Sequence, residues 1–181
     1  EEEAEWRPTN YHLNGQKFKS DYIHKSRVKL IDDFDKIPYS KLTDSVVIFK
    51  KDTIKLMATK TKFNPGKNKL QYHKGDASKN EMSWLEKING KEIWGTDGEV
   101  PKNQYGQILL TLGKNKIYLP IENLFEPNLE HTTVNIDENN RTIYISAMNS
   151  DGAGGYAVLW IVENGKFKQQ LIDVGFWKNS H

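Results

Sequence analysis

Two short stretches gather residue types suited to holding a ligand rather than filling a core. In Asn149-Ser150-Asp151-Gly152-Ala153-Gly154-Gly155-Tyr156, a carboxamide, a hydroxyl and a carboxylate lead into a glycine-rich turn and then a phenol. Glycine lets backbone N–H groups come close to a ligand or a partner's cleft, and Asp151 suits a cation or a sugar hydroxyl. In Trp94-Gly95-Thr96-Asp97-Gly98-Glu99-Val100-Pro101, an indole stands beside a polar turn, a combination fit for sugar stacking or a protein contact. The candidate ligand-binding residues are therefore Trp94, Thr96, Asp97, Glu99, Asn149, Ser150, Asp151 and Tyr156. The plainer reading of both stretches is conformational. Glycines would serve a wide connection, and Asp97 would cap an Asx-type turn over a buried Trp94.

Other chemistry has thinner support. The glycine loop lacks the Gly-Lys-Ser/Thr of a phosphate loop and leads into a strand pattern, not a helix. It also lacks the spaced carboxylates of an EF-hand. His12, His24, His73, His131 and His181 show no metal-ligand spacing, and cysteine is absent, so neither a metal nor a cofactor is expected. Ser146 and Ser150 have no histidine nearby in sequence, and no nucleophile elbow occurs. Glu126 and Glu130 could serve as an acid–base pair, which leaves catalysis open while the balance leans against it. Residues 50–79 hold nine lysines against Asp52 and Asp76, with Phe49, Phe63 and Tyr72 interleaved. Such lysines more often line strand edges and solvent faces than bind nucleic acid, and no nucleic-acid partner is expected.

The elements that must position these loops read as β. Residues 132–136, 141–148, 156–163 and 166–174 form a run of consecutive antiparallel strands. Asp137-Glu138-Asn139-Asn140 and the glycine loop connect the first three, and Asn164-Gly165 makes a type I′ hairpin turn before the last. Both faces of 156–163 are apolar, which predicts a central strand covered on both sides. Further strands are expected at 27–31, 45–49, 53–59, 69–73, 83–88, 107–112 and 116–120. A first hairpin is expected around Asn14-Gly15, and another at Asn89-Gly90. The window 78–88 also carries a helical alternative, Ser78 and Glu81 resembling a capping box. Phe63-Asn64-Pro65-Gly66 predicts a type II turn with a left-handed glycine. Residues 32–44 read as a loop with Ile37, Tyr39 and Leu42 tucked beneath it, and 121–129 as a connection with room for one helical turn.

Ten to twelve short strands without a fixed repeat predict an all-β antiparallel sandwich or barrel with at most one or two short helical turns. Residues 1–9 are expected to be a tail, and 10–177 a single domain. A formal net charge of +2 argues against a dedicated nucleic-acid or membrane-surface protein, and no run is long and apolar enough for a membrane span. The acidic opening without Met suggests a mature chain whose export signal has been removed.

At Trp94-Gly95-Thr96-Asp97-Gly98…Pro101, Phe125-Glu126-Pro127-Asn128 and Asn149 to Tyr156, the chain resembles small exported proteins of Gram-negative bacteria. The resemblance covers residues 93–176 and implies a periplasmic or secreted location without an activity. The glycine loop entering Tyr156 also looks like the serine-glycine-tyrosine loop that periplasmic lysozyme inhibitors insert into their target. The reading is a monomeric, non-enzymatic exported domain that binds a protein or glycan of the cell envelope through loops 94–101 and 149–156. A hydrolase acting on an envelope polymer and a lysozyme-inhibitor or toxin-immunity protein are the alternatives.

Overall fold

The computed structural model describes residues 6–11, 19–75 and 82–173. The chain divides into two compact units, 1–34 and 35–181, where the sequence reading has one domain over 10–177. In the first unit β1 (Trp6–Tyr11) pairs antiparallel with β2 (Lys19–His24). A strand thus begins at Trp6, within the stretch expected to be a tail. The Asn14-Gly15 turn expected between these strands lies outside the described residues. The strand expected over 27–31 is replaced by single 3-10 turns at Lys25–Arg27 and Ile31–Asp33. An alternating run makes a strand only where a sheet covers one face, and Val28 and Leu30 stay exposed. Lys29 instead sets its ammonium 4.0 Å from the centre of the Phe34 ring.

The second unit is an antiparallel β-sandwich. One sheet has the order β11-β10-β6-β5-β4, the other β15-β14-β13-β12-β3. Their strands are β3 (Asp35–Lys36), β4 (Tyr39–Leu42), β5 (Val46–Lys51), β6 (Ile54–Lys62), β10 (Asn103–Leu112), β11 (Asn115–Tyr118), β12 (Thr132–Asp137), β13 (Thr142–Asn149), β14 (Tyr156–Glu163) and β15 (Lys166–Asp173). A smaller sheet, β7-β8-β9, is built from Leu70–His73, Trp84–Ile88 and Lys91–Glu92. The strand alternative for 83–88 therefore holds, while Ser78 and Glu81 of the capping-box alternative lie outside the described residues.

Alternation builds the core. Val47, Phe49, Leu56, Ala58, Ile108 and Leu110 from one sheet meet Val134, Ile136, Ile143, Ile145, Val158 and Trp160 from the other. The Tyr105 and Trp160 rings meet edge to face, 6.0 Å apart. The Trp160 indole N–H donates to the Pro120 carbonyl at 2.7 Å, so the largest buried side chain leaves no polar atom unmet. β14 lies inside its sheet, between β13 and the edge strand β15, and only one of its faces is buried where both were expected to be covered. Tyr156, Val158, Trp160 and Val162 are enclosed, while Ala157, Leu159 and Ile161 are half-buried.

The hairpin turns follow their dipeptides. Asn89 and Gly90 have φ of 54° and 80°, and Asn164 and Gly165 have 50° and 73°, as a type I′ turn demands. At Asn64-Pro65-Gly66 the chain instead makes a 3-10 turn, with the Asn64 side chain accepting from the Gly66 N–H, and no left-handed glycine is needed. Residues 32–44 contain β3 and β4, with Ile37 buried and Tyr39 exposed on an outer strand rather than tucked in. Among the described residues, no helix is long and apolar enough to cross a membrane.

Candidate functional site

Loops 95–102 and 150–154, with 126–128 between them, line one groove of about 510 Å³. Three of its residues, Gly95, Glu126 and Ser150, fix the backbone there. Trp94 and Phe125 exchange a main-chain bond, the Phe125 N–H donating to the Trp94 carbonyl at 2.8 Å. That contact requires glycine at 95. Its φ is 104°, and a Cβ there would stand 2.2 Å from the Phe125 carbonyl oxygen. Ser150, itself left-handed at φ 57°, donates its hydroxyl to the Gly95 carbonyl at 3.0 Å. Gly154 then packs against Thr96, where a Cβ would lie 3.1 Å from the Thr96 carbonyl carbon.

Glu126 stands at the junction with φ 48°, in a region that costs a non-glycine residue about 1 kcal/mol or more. Its position before Pro127 restricts the backbone further. Its Oε1 accepts from the Lys102 N–H and, at 3.0 Å, from the Asn103 N–H, while Oε2 accepts from the Asn103 amide at 3.0 Å. This carboxylate is engaged in holding backbone, and Glu130 does not line the groove, so the two do not form an acid–base pair across it.

The predicted site residues fall into two groups. Thr96, Asp97, Glu99, Ser150 and Asp151 all line the groove. The carboxylates of Asp97, Glu99 and Asp151 make no hydrogen bond or ion pair among the described residues, so Asp97 does not cap its own turn. Trp94, Asn149 and Tyr156, also expected among the ligand-binding residues, do not line it. Trp94 is half-buried against the core and borders a separate recess with Glu86, Lys87, Glu92 and Ile93. Asn149 and Tyr156 face each other across β13 and β14 and both point inward, each 2% exposed. Asn149 Oδ1 accepts from the Tyr105 hydroxyl at 2.9 Å and from the Asn128 N–H at 3.0 Å. The Tyr156 hydroxyl donates to the Phe125 carbonyl at 3.0 Å. Burial drives the ionisation of both phenols well above the ordinary tyrosine range; the Tyr105 phenol and, less, the Glu126 carboxylate add to that rise at Tyr156, and the Asn149 amide opposes it in each. Through the Asn128 N–H and the Phe125 carbonyl, Asn149 and Tyr156 hold the 125–128 segment, whose residues 126–128 line the groove between its two loops.

The lining also includes Lys60, Lys102, Pro127 and Asn128, none of them among the candidate ligand-binding residues expected from the sequence. Among the described residues, the lining contains no histidine and no aromatic side chain. The Ser150 hydroxyl is committed to a carbonyl, and among the described residues no imidazole lines the groove to activate it. Among the described residues, no three His, Cys, Asp or Glu side chains are grouped to hold a metal ion. Of the aromatics interleaved with the lysine-rich stretch, Phe49 and Phe63 are core residues, so they present no ring to a nucleobase. Comparison with protein-family models, curated proteins and solved structures gives no match to the chain.

Proposed function

We propose that this chain is a non-enzymatic binding domain that captures a protein partner in the groove between loops 95–102 and 150–154. The partner presents a lysine or arginine to the carboxylates of Asp97, Glu99 and Asp151. One observation carries the reading: carboxylates from two different loops border a single preformed groove without engaging any other described group of the chain. Each would gain from a cation brought close in a partly desolvated setting. A glycan is the weaker ligand, because sugar recognition favours an aromatic face and the described lining has none. The resemblance of Trp94-Gly95-Thr96-Asp97-Gly98 and the glycine loop to small exported proteins is the reason for seeking the partner in the cell envelope.

Pull-down from an envelope extract tests this, with Asp97→Ala and Asp151→Ala as paired variants. Capture should fall in each and more in the double variant, and should weaken as ionic strength rises. Capture indifferent to both substitutions rejects the groove as the binding surface.

A further inference from the structure

We infer that Glu126 is the positioning residue of the groove, coupling its two walls so that neither keeps its shape alone. This rests on the binding reading and deepens it by naming what preforms the surface. The side chain serves one wall, its two oxygens taking the Lys102 N–H, the Asn103 N–H and the Asn103 amide. The main chain serves the other, the Glu126 carbonyl accepting from the Ser150 N–H at 3.0 Å. Its own N–H donates to the Asn103 carbonyl at 3.1 Å, so 126 and 103 are tied twice, through side chain and backbone. Ser150 completes the circuit by donating its hydroxyl to the Gly95 carbonyl.

A circuit of this kind transmits strain. Glu126 and Ser150 are both left-handed, at φ 48° and 57°, and are joined by a direct hydrogen bond. A non-glycine residue keeps such a conformation when its surroundings over-determine it. Removing the carboxylate frees Glu126 to relax toward an ordinary φ, which swings its carbonyl away from Ser150. A cap serving the start of β10 alone would behave differently, because loss of the carboxylate would leave Ser150 untouched.

The test uses no ligand, so its failure is separable from failure of the binding reading. Amide hydrogen exchange is followed by NMR on the full chain, wild type against Glu126→Ala. The amides of Lys102, Asn103 and Ser150 should exchange at least about ten-fold faster, while those of Val134, Ile145 and Trp160 keep their wild-type rates. Faster exchange at Lys102 and Asn103 with Ser150 unchanged would overturn the coupling, as would no change at any of them. If Glu126→Ala also loses protection in the sheets, Glu126→Gln decides. It keeps an acceptor for the backbone amides, but a neutral and weaker one, and it puts a donor opposite the Asn103 amide, which must flip to meet it. A rise of roughly three-fold at Ser150 over unchanged sheet amides is then expected, and a wild-type rate at Ser150 refutes the inference.

Discussion

Replacing Gly95 by alanine should be among the most damaging single-methyl additions in the chain, and the cost can be worked from the geometry. A φ of 104° costs an L-residue about 1–2 kcal/mol before any contact is counted. The new Cβ would stand 2.2 Å from the Phe125 carbonyl oxygen and 2.8 Å from its carbon, backbone atoms that cannot rotate aside. Relieving that contact means parting segments 94–96 and 124–126. The bond from the Phe125 N–H to the Trp94 carbonyl and that from the Ser150 hydroxyl to the Gly95 carbonyl are then lost, at about 1 kcal/mol each. The total is about 3–4 kcal/mol. Gly152 is the control, also left-handed at φ 51° but with nothing within 4 Å of its added Cβ, so Gly152→Ala should cost about 1 kcal/mol. Urea unfolding of the three proteins side by side measures the difference through the midpoints at constant m. Thermal midpoints should fall by roughly 6–16 °C and 2–4 °C respectively. Equal losses in the two variants would refute the claim that loop 95–102 is held by close backbone approach.

Tyr105→Phe removes one of the two donors to the buried Asn149 Oδ1 and should cost about 1–1.5 kcal/mol in urea unfolding; a loss below about 0.3 kcal/mol would mean that the hydroxyl does not brace the groove. The same phenols set an alkaline limit. Burial raises their ionisation above the ordinary value of 10.0, so above that pH the unfolded chain binds fewer protons than the folded one. Stability from these groups is therefore intact below about pH 10 and declines as pH rises beyond it. Urea midpoints from pH 9 to 12 should show that decline, and it should be shallower in Tyr105→Phe; parallel profiles would contradict it.

The sandwich was legible where local chemistry and burial agree. Asn89-Gly90 and Asn164-Gly165 fix their hairpins because asparagine and glycine tolerate positive φ, and the alternation of two apolar faces in Tyr156 to Glu163 marks a strand inside its sheet, though only one of those faces is enclosed. The loops were legible as loops, since Gly-Asp-rich runs interrupt that alternation. Side-chain direction was not. Trp94 and Tyr156 look like ligand-facing aromatics beside flexible turns, yet each is already part of a backbone pairing, Trp94 bridged to Leu124 and Tyr156 opposite Asn149, and Tyr156 is thereby turned inward. Glu126 gave no local signal because its partners Lys102, Asn103 and Ser150 are distant in sequence. Residues 27–31 misled for the opposite reason, since an alternating pattern was present without a sheet to cover it.

The most direct test of the binding surface is a photocrosslinking residue placed at Ala153, on the groove wall, with a second at Lys168 on the exposed β15 as control. Exposed to an envelope extract, the position 153 probe should give a discrete protein adduct whose crosslinked peptide contains lysine or arginine. That adduct should be lost in Asp97→Ala/Asp151→Ala and absent from the position 168 probe. An adduct of equal yield with and without the two carboxylates, or from both probe positions alike, would contradict the account.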